Sequence, residues 1–240
     1  MLPERIRSWL QAVLDVPFQA EPHVAGQDLS EQGGAGGSGP TRLAGEEHIG
    51  RIARQFMQAK NRGQAIKAAH QAVTVVTTNS NLINLPIRQG KLTPEIKAFR
   101  DAVNYAIQNA PDYGVPRRLD RVVDFSVAFL NQILKAQELT DAAFTATSSV
   151  PMDPEANRPF RNTLLHIEAR WAADVADLSP DPHIKEHLLP SNARFKILRG
   201  QIRDRDGDLS DYSQPVKAEL WLEQIEPDQG DVVRDPWKRR

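Results

Sequence analysis

The chain has 240 residues, 40% of them apolar and 25% charged, with a formal net charge of −1. That is enough for one large domain, or one domain with appendages, around a packed core. There are no cysteines, which excludes disulfides, thiolate metal sites, iron–sulfur clusters and cysteine nucleophiles, and no apolar run is long enough to span a bilayer.

The first residues, MLPERIRSWLQAVLDVPF, lack the cationic start, apolar middle and small-residue cleavage site of a signal peptide. A cytoplasmic or virion-associated protein is expected. Residues 2–15 put Leu2, Ile6, Trp9, Leu10 and Val13 on one face at helical spacing. So short a helix is marginal alone and needs a surface, which its own domain, a partner protein or a membrane could supply. Residues 1–24 are assigned as a helix that docks on a partner. GGAGGSG at 33–39 has no side chains able to pack, so 25–45 is assigned as a flexible linker.

Residues 46–192 read as a helical domain. Ile49, Ile52, Ala53, Phe56 and Met57 keep a helical stripe, Asn61-Arg62-Gly63 interrupts it, and Ile66, Ala69, Val73 and Val76 resume it. VTVVTT at 73–78 is β-branched, but the 3–4 spacing continues through it, so helix is expected there too. Residues 79–92 read as a polar loop. Thr93-Pro94-Glu95 is a helix start, with Thr93 as N-cap and Pro94 in the first position. Further helices are predicted over about 116–138 and 154–178, the latter with Phe160, Leu164, Ile167, Trp171 and Val175 inward. From 193 the period changes to two, giving a β-hairpin arm over 193–226 and an extended tail over 227–240. The fold class expected is therefore mainly α: a bundle of about five helices, a tethered N-terminal helix and a small C-terminal hairpin.

Few motifs suggest chemistry. His183-Ile184-Lys185-Glu186-His187 has the His-x-x-Glu-His spacing of a zinc peptidase. Pro182 and Pro190 leave about two turns between them, a poor frame for a metal, and a solvated polar turn is the reading preferred. A zinc-dependent hydrolase stays as a minor alternative. Asp204 to Asp211 resembles a calcium loop, but its glycine and final ligand fall out of register. His70 and His166 read as partly buried, satisfied histidines. No catalytic residue, metal or cofactor is assigned.

Charge is unevenly spread. From 51 to 100 there are nine cations (Arg51, Arg54, Lys60, Arg62, Lys67, Arg88, Lys91, Lys97 and Arg100) and one acid, Glu95. From 203 to 235 ten acids outnumber four cations. The reading carried forward is a non-enzymatic structural or adaptor subunit of a larger assembly, docking through its N-terminal helix and its hairpin on other protein subunits, including copies of itself. The alternative is a helical protein that binds DNA or RNA through the nine cations without reading bases.

Overall fold

The computed structural model describes residues 40–152, 163–202, 218–228, 230 and 232–236. The predicted docking residues Leu2, Ile6, Trp9, Leu10 and Val13 lie outside the described residues, as does the acidic loop 204–211.

Four helices come first: α1 (Pro40–Met57), α2 (Arg62–Thr78), α3 (Asn81–Arg88) and α4 (Pro94–Gln108). α1 starts inside the segment assigned as linker. Asn61 caps α2 by accepting a hydrogen bond from Gln64 N at 3.0 Å. Thr93 caps α4 in the same way from Ile96 N at 3.3 Å, with Pro94 beside it. The polar loop expected at 79–92 is instead mostly α3. Its asparagines suggested a loop, but Asn84 is buried with Ile83, Ile87 and Arg88 on one helical face.

The rest corrects the predicted bundle. The mainly α fold class is overturned by an eight-stranded mixed sheet: β1 (Arg117–Val123), β2 (Glu138–Asp141), β3 (Thr145–Ser148), β4 (Thr163–Ala169), β5 (Ala173–Asp174), β6 (Glu186–Leu189), β7 (Ala193–Ile202) and β8 (Ala218–Gln224). The spatial order is β2-β7-β8-β4-β1-β3-β6-β5. Every neighbouring pair is antiparallel except β4 with β8. The helix expected over 116–138 is β1 followed by α5 (Val127–Ala136), whose N-cap Ser126 accepts from Phe129 N. The described part of the helix expected over 154–178 is β4, β5 and a 3₁₀ turn. The predicted hairpin does pair, from Phe195↔Gln224 to Ile202↔Ala218. It is no arm, because β2 flanks β7 and β4 flanks β8, so both strands are internal.

Among the described residues two large cores, and a small cluster around Ala65, Ala69 and Tyr105, hold the fold. One lies between α5 and the sheet, with Leu119, Val123, Leu130, Leu165, Ile167, Leu220 and Leu222. The other packs α1–α4 on β3, β5 and β6, joining Ile52, Val76, Ile83, Phe99, Phe144 and Leu188. β1, β3 and β6 run side by side where the two cores meet.

Candidate active site

The motif HIKEH is an exposed turn in its first half, as expected, and a buried strand in its second. Pro182–Ile184 makes a 3₁₀ turn and Glu186 begins β6. His183 is exposed. His187 is buried, and its Nδ1 donates to the Lys185 carbonyl at 2.9 Å. The two imidazoles therefore do not share a helix face, and no cluster that could hold a metal ion exists among the described residues.

Glu186 is the unusual group. Its side chain is 1% exposed, and neither carboxylate oxygen makes a hydrogen bond among the described residues. Burial pushes its pKa up to about 7; the Ser179 hydroxyl, which falls short of hydrogen-bond geometry, and the Arg121 guanidinium pull the other way. Burying a carboxylate without partners is costly in a folded protein, and such groups concentrate at functional sites.

Two neighbouring strands complete the site. Ser148 of β3 lies opposite Glu186 of β6, and Asp120 of β1 lies opposite Ser148. The Ser148 hydroxyl accepts from Val150 N at 2.9 Å and lies 2.7 Å from the Ile184 carbonyl, so it pins the turn that leads into Glu186. Arg121 follows Asp120 and is 5% exposed; its Nη1 donates to the Ala146 carbonyl at 2.7 Å. Thr147 donates to the His187 carbonyl, a second tie between β3 and β6.

Arg121 reaches a small cavity beneath the helices, which Ser80, Asn84, Arg88 and Leu188 also line. Among the described residues the buried Ser80 hydroxyl makes no hydrogen bond. Arg88 is neutralised by Asp141 at 3.0 Å. The site thus combines a buried guanidinium, a hydroxyl without a hydrogen bond among the described residues and a buried carboxylate whose pKa is raised. Such a set can hold an anionic ligand beside a centre that develops positive charge.

A second polar row crosses the sheet next to this site. His166 Nδ1 lies 2.9 Å from Asp120 Oδ1, and the imidazole stacks on Trp221 with centroids 5.1 Å apart. Arg199 lies over the same indole at 4.8 Å. Asp120 also accepts from Met152 N, which ties this row to the chain leaving β3. His166 is thus satisfied and half-buried as expected, whereas His70 is exposed on α2.

The nine cations do not form one surface. Arg88 is buried in its ion pair, Arg100 is half-buried beside Asp101, and Arg62 pairs with Asp235 at 3.7 Å. Arg51, Arg54, Lys60, Lys67, Lys91 and Lys97 are exposed. Sequence reasoning singled out Glu186, but in the role of a zinc-peptidase base, and it missed Arg121 and Ser148. The available signals were an arginine within the apolar run LDRVV and the hydroxyl-rich run Phe144-Thr145-Ala146-Thr147-Ser148-Ser149.

No family model matches the sequence. A Mycobacterium avium (strain 104) protein, Mav, that carries the name of an NAD(+)–arginine ADP-ribosyltransferase is 26% identical over 125 residues. That match takes in 52% of this chain, which spans only 15% of the length of that protein. Among solved structures, Plx2a, an ADP-ribosyltransferase toxin from Paenibacillus larvae, superposes with a TM-score of 0.52 at 15% identity, covering 78% of this chain and 97% of its own. Exoenzyme S from Pseudomonas aeruginosa, in complex with human 14-3-3 protein beta and bound to carba-NAD, superposes with a TM-score of 0.52 at 19% identity, covering 77% and 88%. At such identities the solved structures establish the fold alone. This chain has the α/β fold of ADP-ribosyltransferases, and that fold, with the named relative, goes against the readings as a non-enzymatic assembly subunit and as a nucleic-acid-binding protein.

Proposed function

We propose that this chain is an ADP-ribosyltransferase that takes NAD⁺ at Arg121, Ser148 and Glu186 and modifies a protein side chain. The observation that carries the reading is the buried Glu186 carboxylate, without a hydrogen bond among the described residues and beside Arg121, in this fold. The name of the Mycobacterium avium relative supports arginine as the acceptor.

The residue types suit the charges of the dinucleotide, which enters only if the buried Arg121 and Glu186 are uncovered. Arg121 and the Ser80 hydroxyl would hold its pyrophosphate, a bidentate guanidinium task. NAD⁺ supplies a sugar carbon whose bond to nicotinamide breaks, with the bonding pair leaving on the neutral ring. Glu186, ionised, faces the positive charge that builds at such a carbon, and its desolvated position strengthens that interaction. Ser148 holds the Ile184 carbonyl and so fixes where β6 begins. Because Glu186 is nearly sealed, the turn before it must shift when ligand enters.

The test is release of nicotinamide from NAD⁺ by the purified chain, with and without an arginine-rich protein acceptor. Turnover that Glu186→Gln reduces at least a hundredfold supports the reading. Absence of turnover by the wild-type chain, with NAD⁺ failing to bind, sinks it.

A further inference from the structure

The second histidine of HIKEH stands next to Glu186, yet the chemistry above gives it no task. The two residues are neighbours in β6 and so face opposite sides of the strand. Leu188, on the side of Glu186, belongs to the core beneath the helices, and Leu189, on the side of His187, belongs to the core beneath α5. The His187 imidazole is buried and turned away from the carboxylate. It can act on Glu186 only through the backbone.

The path is short. His187 Nδ1 donates to the Lys185 carbonyl at 2.9 Å. That bond closes a ring of atoms around Glu186, and the backbone torsions inside the ring are φ and ψ of Glu186 and φ of His187. Closing it fixes the direction in which the Glu186 side chain leaves the strand. A neutral imidazole has one N–H, so the clasp requires the proton on Nδ1.

The residue being held is strained. Lys185 has φ 46° and ψ 62°, the left-handed region, between the 3₁₀ turn and the first residue of β6. A residue with a Cβ stays there only where its surroundings hold it. β3 provides part of the hold: Ser149 N donates to the same Lys185 carbonyl at 3.2 Å, beside the Ser148 bond to Ile184. The imidazole is the nearest donor to that oxygen and the one that comes from the buried side.

We propose that His187 is a positioning residue for Glu186: its Nδ1–H clasps the Lys185 carbonyl and holds the left-handed turn that aims the carboxylate into the site. The role rests on the transferase reading; the bond itself does not.

Two measurements on the full chain test it. Nitrogen-15 NMR, with the His187 signals assigned by their loss in His187→Asn, should show the imidazole proton on Nδ1 at neutral pH. Nicotinamide release from NAD⁺ is then compared in three variants. Asparagine puts an amide N–H where Nδ1 stands, glutamine puts one where Nε2 stands, and leucine has none. His187→Leu and His187→Gln should lower kcat about tenfold and leave KM within about twofold, because the carboxylate is misaimed while NAD⁺ is still held. His187→Asn should recover most of that loss. Packing alone predicts the reverse, since asparagine fills the least of the space the ring leaves. Equal kcat in the three variants overturns the proposal, as does a proton found on Nε2. A wild-type chain that neither binds nor cleaves NAD⁺ removes the transferase reading and this role with it. A wild type that turns over, matched by His187→Leu, removes this role alone.

Discussion

Arg88 and Asp141 face each other inside the molecule, with Nη2 3.0 Å from Oδ2 and the two side chains 2% and 1% exposed. Nε donates to the other carboxylate oxygen at 3.3 Å. Asp141 also accepts from Ala143 N and from the Thr145 hydroxyl. One ion pair thus fixes α3 to the turn between β2 and β3, and so to the strand that carries Ser148. Removing one partner strands a buried charge. Asp141→Ala should cost about 3–5 kcal/mol in denaturant unfolding, while Arg88→Met with Asp141→Asn, which keeps an acceptor for Ala143 N and the Thr145 hydroxyl, should cost less. Equal losses in the single and double variants would show that the pair is not the cause.

Asn84 binds the same turn from one residue pair further on. Its amide donates to the Phe144 carbonyl and accepts from Phe144 N, both at 3.1 Å. Asn84→Leu keeps the bulk but leaves both backbone groups buried without partners. The expected loss is about 2–4 kcal/mol, and hydrogen exchange at the Phe144 amide should quicken. Unchanged exchange there would mean that another group restrains the turn.

Glu186 sets a pH dependence with a definite sign. Its folded pKa is about 7, above the ordinary value of 4.5. Between those values the folded protein holds a proton that the unfolded chain has released. This contribution to stability is therefore complete below pH ~4.5 and is lost as pH rises through about 7. Glu186→Gln should unfold at a higher temperature than wild type above pH 7, by up to about 3 kcal/mol, and should match it in acid. Turnover, which needs the ionised form, should rise with a midpoint near pH 7 in the profile of kcat/KM. A flat profile across that range would remove Glu186 from the chemistry.

Gly200 of β7 allows α5 to approach the sheet. A Cβ there would collide with Leu134 Cδ2 and lie 3.2 Å from Leu220 Cδ2. The colliding atom is the tip of a flexible side chain, so Gly200→Ala should cost only about 1–2 kcal/mol. Leu134→Ala with Gly200→Ala should lose less than the sum of the two single changes. Strict additivity would place the cost elsewhere in the strand.

What could be read without the fold was local. Thr93-Pro94 starts α4, as cap chemistry dictates, because a hydroxyl that satisfies an open N–H acts within one turn. VTVVTT remained helical because its buried face, Val73 and Val76, continues that of Ala65, Ala69 and Ala72. The second strand of the hairpin was legible from the alternation of Ala218, Leu220 and Leu222 with Glu219, Trp221 and Glu223, although Glu219 is itself buried. Tertiary structure decided the rest. In β1 and β4 the apolar residues point to both faces of an internal strand, so Leu119, Val122 and Val123, or Leu164 and Ile167, mimic helical spacing by coincidence. The candidate site depends still more on the fold. Arg121, Ser148 and Glu186 are far apart in the chain and come together only because β3 is inserted between β1 and β6. No local pattern encodes that pairing, and the burial that lifts the Glu186 pKa exists only in the folded protein.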